Sequence, residues 1–306
     1  MRCGWLKRPR SARPRRRGGA PAARRRRGPS GRGAALLLPG LVVVAVVFVV
    51  PMARLAWLSV TTPETGLANY RDVLTDGVSL TVIWRTLRMM LVVTAVCLLF
   101  AYPYAYVMTV VPPRTRAVLT TIVLLPFWTS LMARTFAWVV LLQKGGPVND
   151  ALAALGLGDV RLAGSATGVT IAMAQVMLPF MVLPLYSSMR DVDRALVPAA
   201  LSLGARPAVA FLRVYLPLTL PGVAAGTTLV AVLSLGFYVT PALLGSPKES
   251  MIAQLIAVKV QDVLDFGAGG ALSLTLLVVA LALLGLVARF VRPGAALGMS
   301  DEGDRR

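Results

Sequence analysis

Residues 191–222 read DVDRALVPAALSLGARPAVAFLRVYLPLTLPG, a segment set between two long apolar runs. It is too polar to enter a bilayer and too apolar for a plain loop. Leu196, Ala200 and Leu203 recur at helical spacing, and after Gly204 so do Val209, Leu212 and Leu216. This pattern predicts two short amphipathic helices with a glycine bend between them. Gly204 suits a backbone conformation that a side chain resists, and Pro207 suits the first turn of the second helix. On a membrane protein such an elbow either offers a partner a hydrophobic knob to seat in a groove or lies on the lipid headgroups.

The surroundings are those of a membrane protein. The chain has 306 residues, 57% of them hydrophobic, with mean hydropathy +0.73, outside the usage of soluble domains. Histidine is absent, and Cys3 and Cys97 are too few and too far apart for a metal site or a disulfide framework. Cys97, inside an apolar run, reads as a buried inert thiol. The net charge of +19 would suggest nucleic acid, but thirteen of the 32 basic residues lie in residues 1–33 with no acid among them. A basic cytoplasmic tail beside anionic lipid accounts for them without a nucleic-acid partner. That tail, 1–33, is read as disordered, and the first apolar run is too long for a signal-peptide core.

Six apolar runs reach the ~20 residues a helix needs to cross a bilayer. They lie near residues 34–57, 87–111, 117–142, 168–189, 218–244 and 271–290. Short helices are expected outside the spans at Asn69–Asp76 and within Gly145–Gly158. With the tail set aside, the basic residues divide ten to five in favour of the side holding the 191–217 segment. The positive-inside rule then places that segment and both termini in the cytoplasm.

The spans contain none of the thirteen acidic residues. Ion-driven carriers commonly place a carboxylate near the midplane, so a proton-coupled mechanism lacks its group. No Gly-Lys pair occurs, so the chain carries no P-loop for ATP. With neither histidine nor an intramembrane acid, a membrane-embedded enzyme lacks its catalytic groups as well. The expectation is a transport subunit, not an enzyme, with no cofactor of its own. Arg134 is the one charge deep inside a run, LPFWTSLMARTFAW, and an unpaired guanidinium facing lipid there costs about 2.5 kcal/mol or more. It should face the bundle interior or a wet cavity, either on a pathway or as a pin on neighbouring carbonyls. Aromatic residues crowd the same depth: Phe127, Trp128, Phe136, Trp138, Phe180, Phe237 and Tyr238. They could guide an organic cation or simply pack and belt the bundle. Pro179, Pro184 and Pro241 are expected to interrupt helices.

Ala199-Ala200, Gly204-Ala205, Phe211 and Leu216-Pro217 resemble the EAA loop of permease subunits in ATP-binding-cassette importers. The motif's leading glutamate is Pro198 here, and a proline inside the first short helix is expected to shorten or kink it. LPFWTSLMARTFAW, GGPVNDALAALGL, LPFMVLPLYSSM and GFYVTPALLG are similar to the spermidine/putrescine-type permeases. The resemblance covers residues 67–290 or so. It implies an all-α type I importer transmembrane domain with six transmembrane helices: a first helix over 34–60, a permease domain over 61–292 with its coupling loop at 190–217, and a cytoplasmic tail over 293–306. It implies a bacterial inner-membrane location and a polyamine-type solute. Arg134, Trp128, Trp138, Phe180 and Tyr238 are the pathway candidates, on the ground of depth and chemistry given above. The resemblance implies as partners cytoplasmic ATPases that use the ATP, a second permease subunit, an extracytoplasmic solute-binding protein and membrane lipid. The alternatives are a permease of the same architecture for an anion, ferric iron or an opine-like compound, or a secondary carrier.

Overall fold

A computed structural model describes residues 31–62, 65–156 and 160–290. The arginine tail up to residue 30, Cys3 and the tail over 293–306 lie outside the described residues. Two compact units divide at residue 51. The described part of the first is helical, forming the start of α1 (Gly31–Thr61), which runs through Pro39 and Pro51. The second carries the remaining helices, and no strand occurs among the described residues.

Its core is built by three long helices, α3 (Gly77–Val110), α7 (Ala166–Arg190) and α10 (Leu216–Leu235). Along α3, Val93, Cys97, Ala101, Ala105 and Met108 form one buried stripe three or four residues apart, and Val169, Met173, Met177, Met181, Leu185 and Met189 form another along α7. Small residues on one helix face long flexible methionines on the other, so the two stripes interdigitate at close range. Cys97 is fully buried, and its thiol donates to the Ala174 carbonyl at 3.6 Å. The α7–α10 crossing is closer still. A Cβ on Gly222 would lie 2.5 Å from Ser188 Cβ, and one on Gly226 would lie 2.8 Å from Met181 Sδ. Gly222 and Gly226 are four residues apart, the small-residue spacing that lets membrane helices touch backbone to backbone.

At the end of the bundle marked by Gly77, α2 (Ala68–Thr75) forms the expected short helix. Asn69 there donates to the carbonyls of Ser59 and Thr62 at 2.8 and 2.6 Å, and Tyr70 and Ser59 share a hydrogen bond. Gly267 and Gly270 of α13 (Phe266–Phe290), which comes after the short α12 (Ile252–Ala257), press on the same residues, where added methyl groups would meet the Thr62 and Leu55 carbonyls. The expected helix within 145–158 is α6 (Pro147–Ala154).

Two of the six runs are not single helices. The third is α4 (Pro113–Leu124), a 3₁₀ turn over Leu125–Trp128 and α5 (Leu131–Leu142), with a bend of 98° between the two arms. Pro126 has no N–H to give the helix, and Thr129 is extended, its amide bonding back to the Pro126 carbonyl at 3.3 Å. The fifth run stops with α10 at Leu235 and resumes as α11 (Val239–Leu244). Pro179 and Pro184 do not interrupt α7, contrary to expectation, since the helix continues through both. Pro241 falls in the first turn of α11, where no amide donor is required.

Candidate functional site

The segment at 191–222 folds as two helical arms. α8 (Leu196–Ser202) is followed by Gly204 at φ +88°, and then by α9 (Pro207–Ala210), which passes through a π turn at Phe211–Tyr215 into α10. Gly204 N–H bonds the Leu201 carbonyl at 3.0 Å and Ala205 N–H bonds the Ala200 carbonyl at 3.1 Å. This paired closure of a helix C-terminus requires the left-handed residue at its centre. Pro198 does not kink α8. It is the third residue of the helix, within the first turn, whose amides have no intrahelical acceptor, so no bond is lost. Upstream, the Asp193 carboxylate accepts from Ala195 N–H at 2.9 Å and fixes the entry to the arm.

The apolar residues divide differently from the helical stripe expected over Leu196, Ala200 and Leu203. Val197 and Phe211 pack inward against the core. Leu203 is 89% exposed and Leu212 58%, at the tips of the arms. Ala199, Gly204 and Pro217 are exposed; Ala200, Ala205 and Leu216 are half-buried.

The elbow is tied to the bundle by rings. Phe211 stacks on Tyr215 at 5.6 Å and meets Tyr102 of α3 edge-on at 6.2 Å, and Tyr215 meets Tyr106 edge-on at 5.6 Å. Tyr102 and Thr219 hydroxyls share a hydrogen bond of 3.1 Å, and Arg194 donates to the Thr109 carbonyl at 2.9 Å. Two aromatic residues of the elbow thus grip the last turns of α3 above a cavity of about 310 Å³ that Asp193 and Arg194 also line. A π turn at the start of α10 is the kind of irregularity that accumulates at functional positions.

A second candidate site lies where the third span breaks. A cavity of about 500 Å³ is walled by Phe127, Arg134, Met177, Phe180, Leu233 and Phe237. Phe127 and Phe180 are 5.5 Å apart, joining the 3₁₀ turn to α7. Arg134 stands in the first turn of α5, and its Nε is buried without a hydrogen-bond partner among the described residues. The guanidinium therefore faces a cavity rather than a carboxylate. Trp128 is 89% exposed and does not line this cavity. Trp138 packs beside Leu142 and Leu162 and donates to Gln175 Oε1 at 3.5 Å. Tyr238 is 43% exposed, immediately before α11. The structure brings Arg134 and Phe180 together with Phe127 and Phe237, and it places Trp128, Trp138 and Tyr238 outside that lining. The 98° bend separates neighbours in sequence in a way that a straight helix would not.

The pair Gly222 and Gly226 escaped the sequence reading, although their four-residue spacing in GVAAG was visible there. They hold the helix that begins in the elbow against α7.

Comparison with known proteins gives concordant matches. The family described as "Binding-protein-dependent transport system inner membrane component" matches residues 101–292. The spermidine/putrescine transport system permease protein PotB of Escherichia coli (strain K12) is 35% identical over 215 residues, covering 70% of this chain and 78% of that protein. The molybdenum transport system permease protein ModB of Mycobacterium bovis is 31% identical over 258 residues, 84% of this chain and 91% of that protein. A crystal structure of a bacterial alginate ABC transporter, in complex with a periplasmic protein bound to an alginate pentasaccharide, contains a chain of the same fold. It aligns with a TM-score of 0.67 at 21% identity over 85% of this chain and 93% of that one.

Proposed function

This chain belongs to the family of binding-protein-dependent transport system inner membrane components, and on that premise we propose that it passes a polyamine-type solute, spermidine or putrescine, into the cell. It is a multi-pass membrane permease subunit of an importer, and ATP hydrolysis falls to a separate subunit. Residues 61–292 form the transport domain behind a first membrane helix over 34–60, and the tails over 1–33 and 293–306 lie in the cytoplasm with the elbow. The α8–α9 elbow docks on a cytoplasmic ATPase, with Ala199, Ala200, Gly204, Ala205, Phe211, Leu216 and Pro217 forming the docking element. A second permease subunit completes the pathway, and an extracytoplasmic binding protein delivers the solute. The nucleotide is held by the ATPase, and this chain works without a cofactor of its own.

The observation that carries this reading is the exposure of Leu203 at the tip of an elbow hinged on Gly204, with the elbow's inner side gripped by α3. An apolar tip raised on a rigid two-arm mount suits a groove in a partner. The excess of basic residues on the elbow's side supports a cytoplasmic position. When the ATPases close, the elbow carries their motion into α10 directly and into α3 through the tyrosines.

The test is Gly204→Val in the assembled transporter reconstituted in vesicles. Nothing lies within 4 Å of the Cβ position, so the substitution strains the φ +88° backbone without crowding a neighbour. ATP hydrolysis should persist while uptake is lost. Undiminished uptake would count against the mechanism.

A second reading assigns the same architecture to another solute, an anion before ferric iron or an opine-like compound. It is favoured by Arg134 in the cavity, whose Nε has no hydrogen-bond partner among the described residues, and by the likeness to a molybdenum permease. Binding measurements on the partner solute-binding protein, with spermidine and with candidate anions, separate the two.

A further inference from the structure

At the end of the bundle opposite the elbow, a cavity of about 510 Å³ opens between α3, the first turn of α7 and a 3₁₀ turn at Pro247–Glu249. Arg85, Arg88 and Lys248 converge on it, and none forms an ion pair among the described residues. Glu249, the carboxylate that also lines it, is already engaged by the Ser246 amide at 3.3 Å and by the Ser246 hydroxyl. Beyond the cations the wall turns apolar: Met89, Val92 and Val96 continue down the same face of α3, with Ile171 of α7 beside them. Val92 is 40% exposed and Ile171 37%.

The depth of this cationic cluster is fixed by the helix itself. On the proposed reading that the elbow lies at one membrane surface, Thr109, which Arg194 of the elbow segment binds, marks that surface, opposite the cluster. Arg88 precedes it by 21 residues of α3, which at about 1.5 Å each is about 31 Å. That is the thickness of a hydrocarbon core, about 30 Å. The arginines therefore stand level with the headgroups of the far leaflet, and Val92 and Val96 stand level with its acyl chains.

We propose that this cleft binds one anionic phospholipid of the leaflet opposite the elbow. Its phosphate sits among Arg85, Arg88 and Lys248, and an acyl chain runs along Val92, Val96 and Ile171. Guanidinium groups match the fork of phosphate oxygens, and the cleft supplies three positive charges against one negative at the one depth where lipid phosphates reside. A polycationic solute is repelled from the same place, so the site lies off its route. The lipid clamps α3, whose other end holds the elbow, to α7.

The assembled transporter, purified in detergent and weighed intact by mass spectrometry, tests this with phosphatidylglycerol as the probe. The native complex should retain one phosphatidylglycerol per copy of this chain. The double variant Arg85→Ala/Arg88→Ala should reduce retention roughly tenfold or more. Lys248→Ala, on an exposed turn where misfolding is not at issue, should reduce it by a smaller factor. Inorganic phosphate should not displace the lipid, because it lacks the chain that fills the apolar wall. The proposal falls if both variants retain the lipid as the native protein does, if inorganic phosphate alone displaces it, or if Val92→Cys cross-links efficiently to the second permease subunit, which would mean that protein covers the cleft.

Discussion

Tyr106, one turn from the end of α3, and Tyr215, in the π turn that leads into α10, meet edge to face with ring centroids 5.6 Å apart and planes at 88°. An 88° edge-to-face pair directs the positive rim of one ring at the negative face of the other. In the proposed mechanism, motion of the elbow reaches α3 through this pair and its neighbours Phe211 and Tyr102, whose rings are in contact.

A double-mutant cycle measures that link. Tyr106→Leu, Tyr215→Leu and the double variant should show a coupling in unfolding free energy of about 0.5–1.5 kcal/mol. Each single variant should also lower uptake per ATP hydrolysed in reconstituted vesicles. Strict additivity, with uptake per ATP unchanged, would show that the rings are only packed side by side.

Gly222 permits the α7–α10 approach, so Gly222→Val should destabilise the bundle. The new Cβ would lie 2.5 Å from Ser188 Cβ and 3.0 Å from the Pro184 carbonyl, and overpacking of this kind costs typically 1–3 kcal/mol. Thermal unfolding in detergent checks it. Gly285→Ala in α13, with nothing within 4 Å, is the control and should be neutral or slightly stabilising.

Arg134 holds a positive charge in the aromatic-walled cavity with its Nε unpartnered. If the solute is a polycation, Arg134→Gln removes a repulsive charge and should lower the KM for uptake by roughly three- to tenfold, the wet cavity screening the rest. If the solute is an anion, the same change should raise the KM. An unchanged KM for the transported solute would place Arg134 off the route.

Asp76 caps α3, its carboxylate accepting from Ser79 N–H and from the Ser79 hydroxyl, both at 2.9 Å. The Ser79 amide, with help from the Ser79 hydroxyl and the Val78 amide, holds its pKa below the ordinary aspartate value of 3.8. A depressed carboxyl pKa means that the cap is fully present above the unfolded value and is lost as pH falls through the folded one. Exchange of the Ser79 amide, followed from neutral pH down to pH ~3, should lose protection only at the acid end once the intrinsic pH dependence of exchange is divided out. Asp76→Ala should show the unprotected rate throughout.

Much of this molecule was legible before folding. The elbow could be read from residues 191–222 because its signals are local: apolar spacing, a glycine at the bend and a proline opening the second arm. Cys97 was legible as buried because its neighbours are all apolar. The break in the third span was not, since Pro126, Thr129 and Ser130 sit inside an otherwise apolar run and only the backbone path shows that the chain bends by 98° between Trp128 and Leu131. For the same reason, the aromatic residues around Arg134 could be gathered by depth but not by direction. Phe127 and Trp128 are adjacent, yet one lines the cavity and the other is 89% exposed.

The sequence by itself determined that six apolar runs are candidate crossings, which side holds the elbow if positive charge stays inside, and that no carboxylate lies within those runs to take a coupling proton; the described helices supply five such spans, or six if the bent pair is one. The runs, the side and the missing carboxylate follow from composition along one dimension, because transfer into lipid is priced residue by residue. Only the tertiary structure decided which residues share a space: Tyr106 with Tyr215 and Phe127 with Phe180, which helix turn or span break brings together, and Arg85 with Lys248, which are distant in sequence. Those pairings depend on helix rotation and crossing, set by close packing such as Gly222 against Ser188, and no local pattern encodes them.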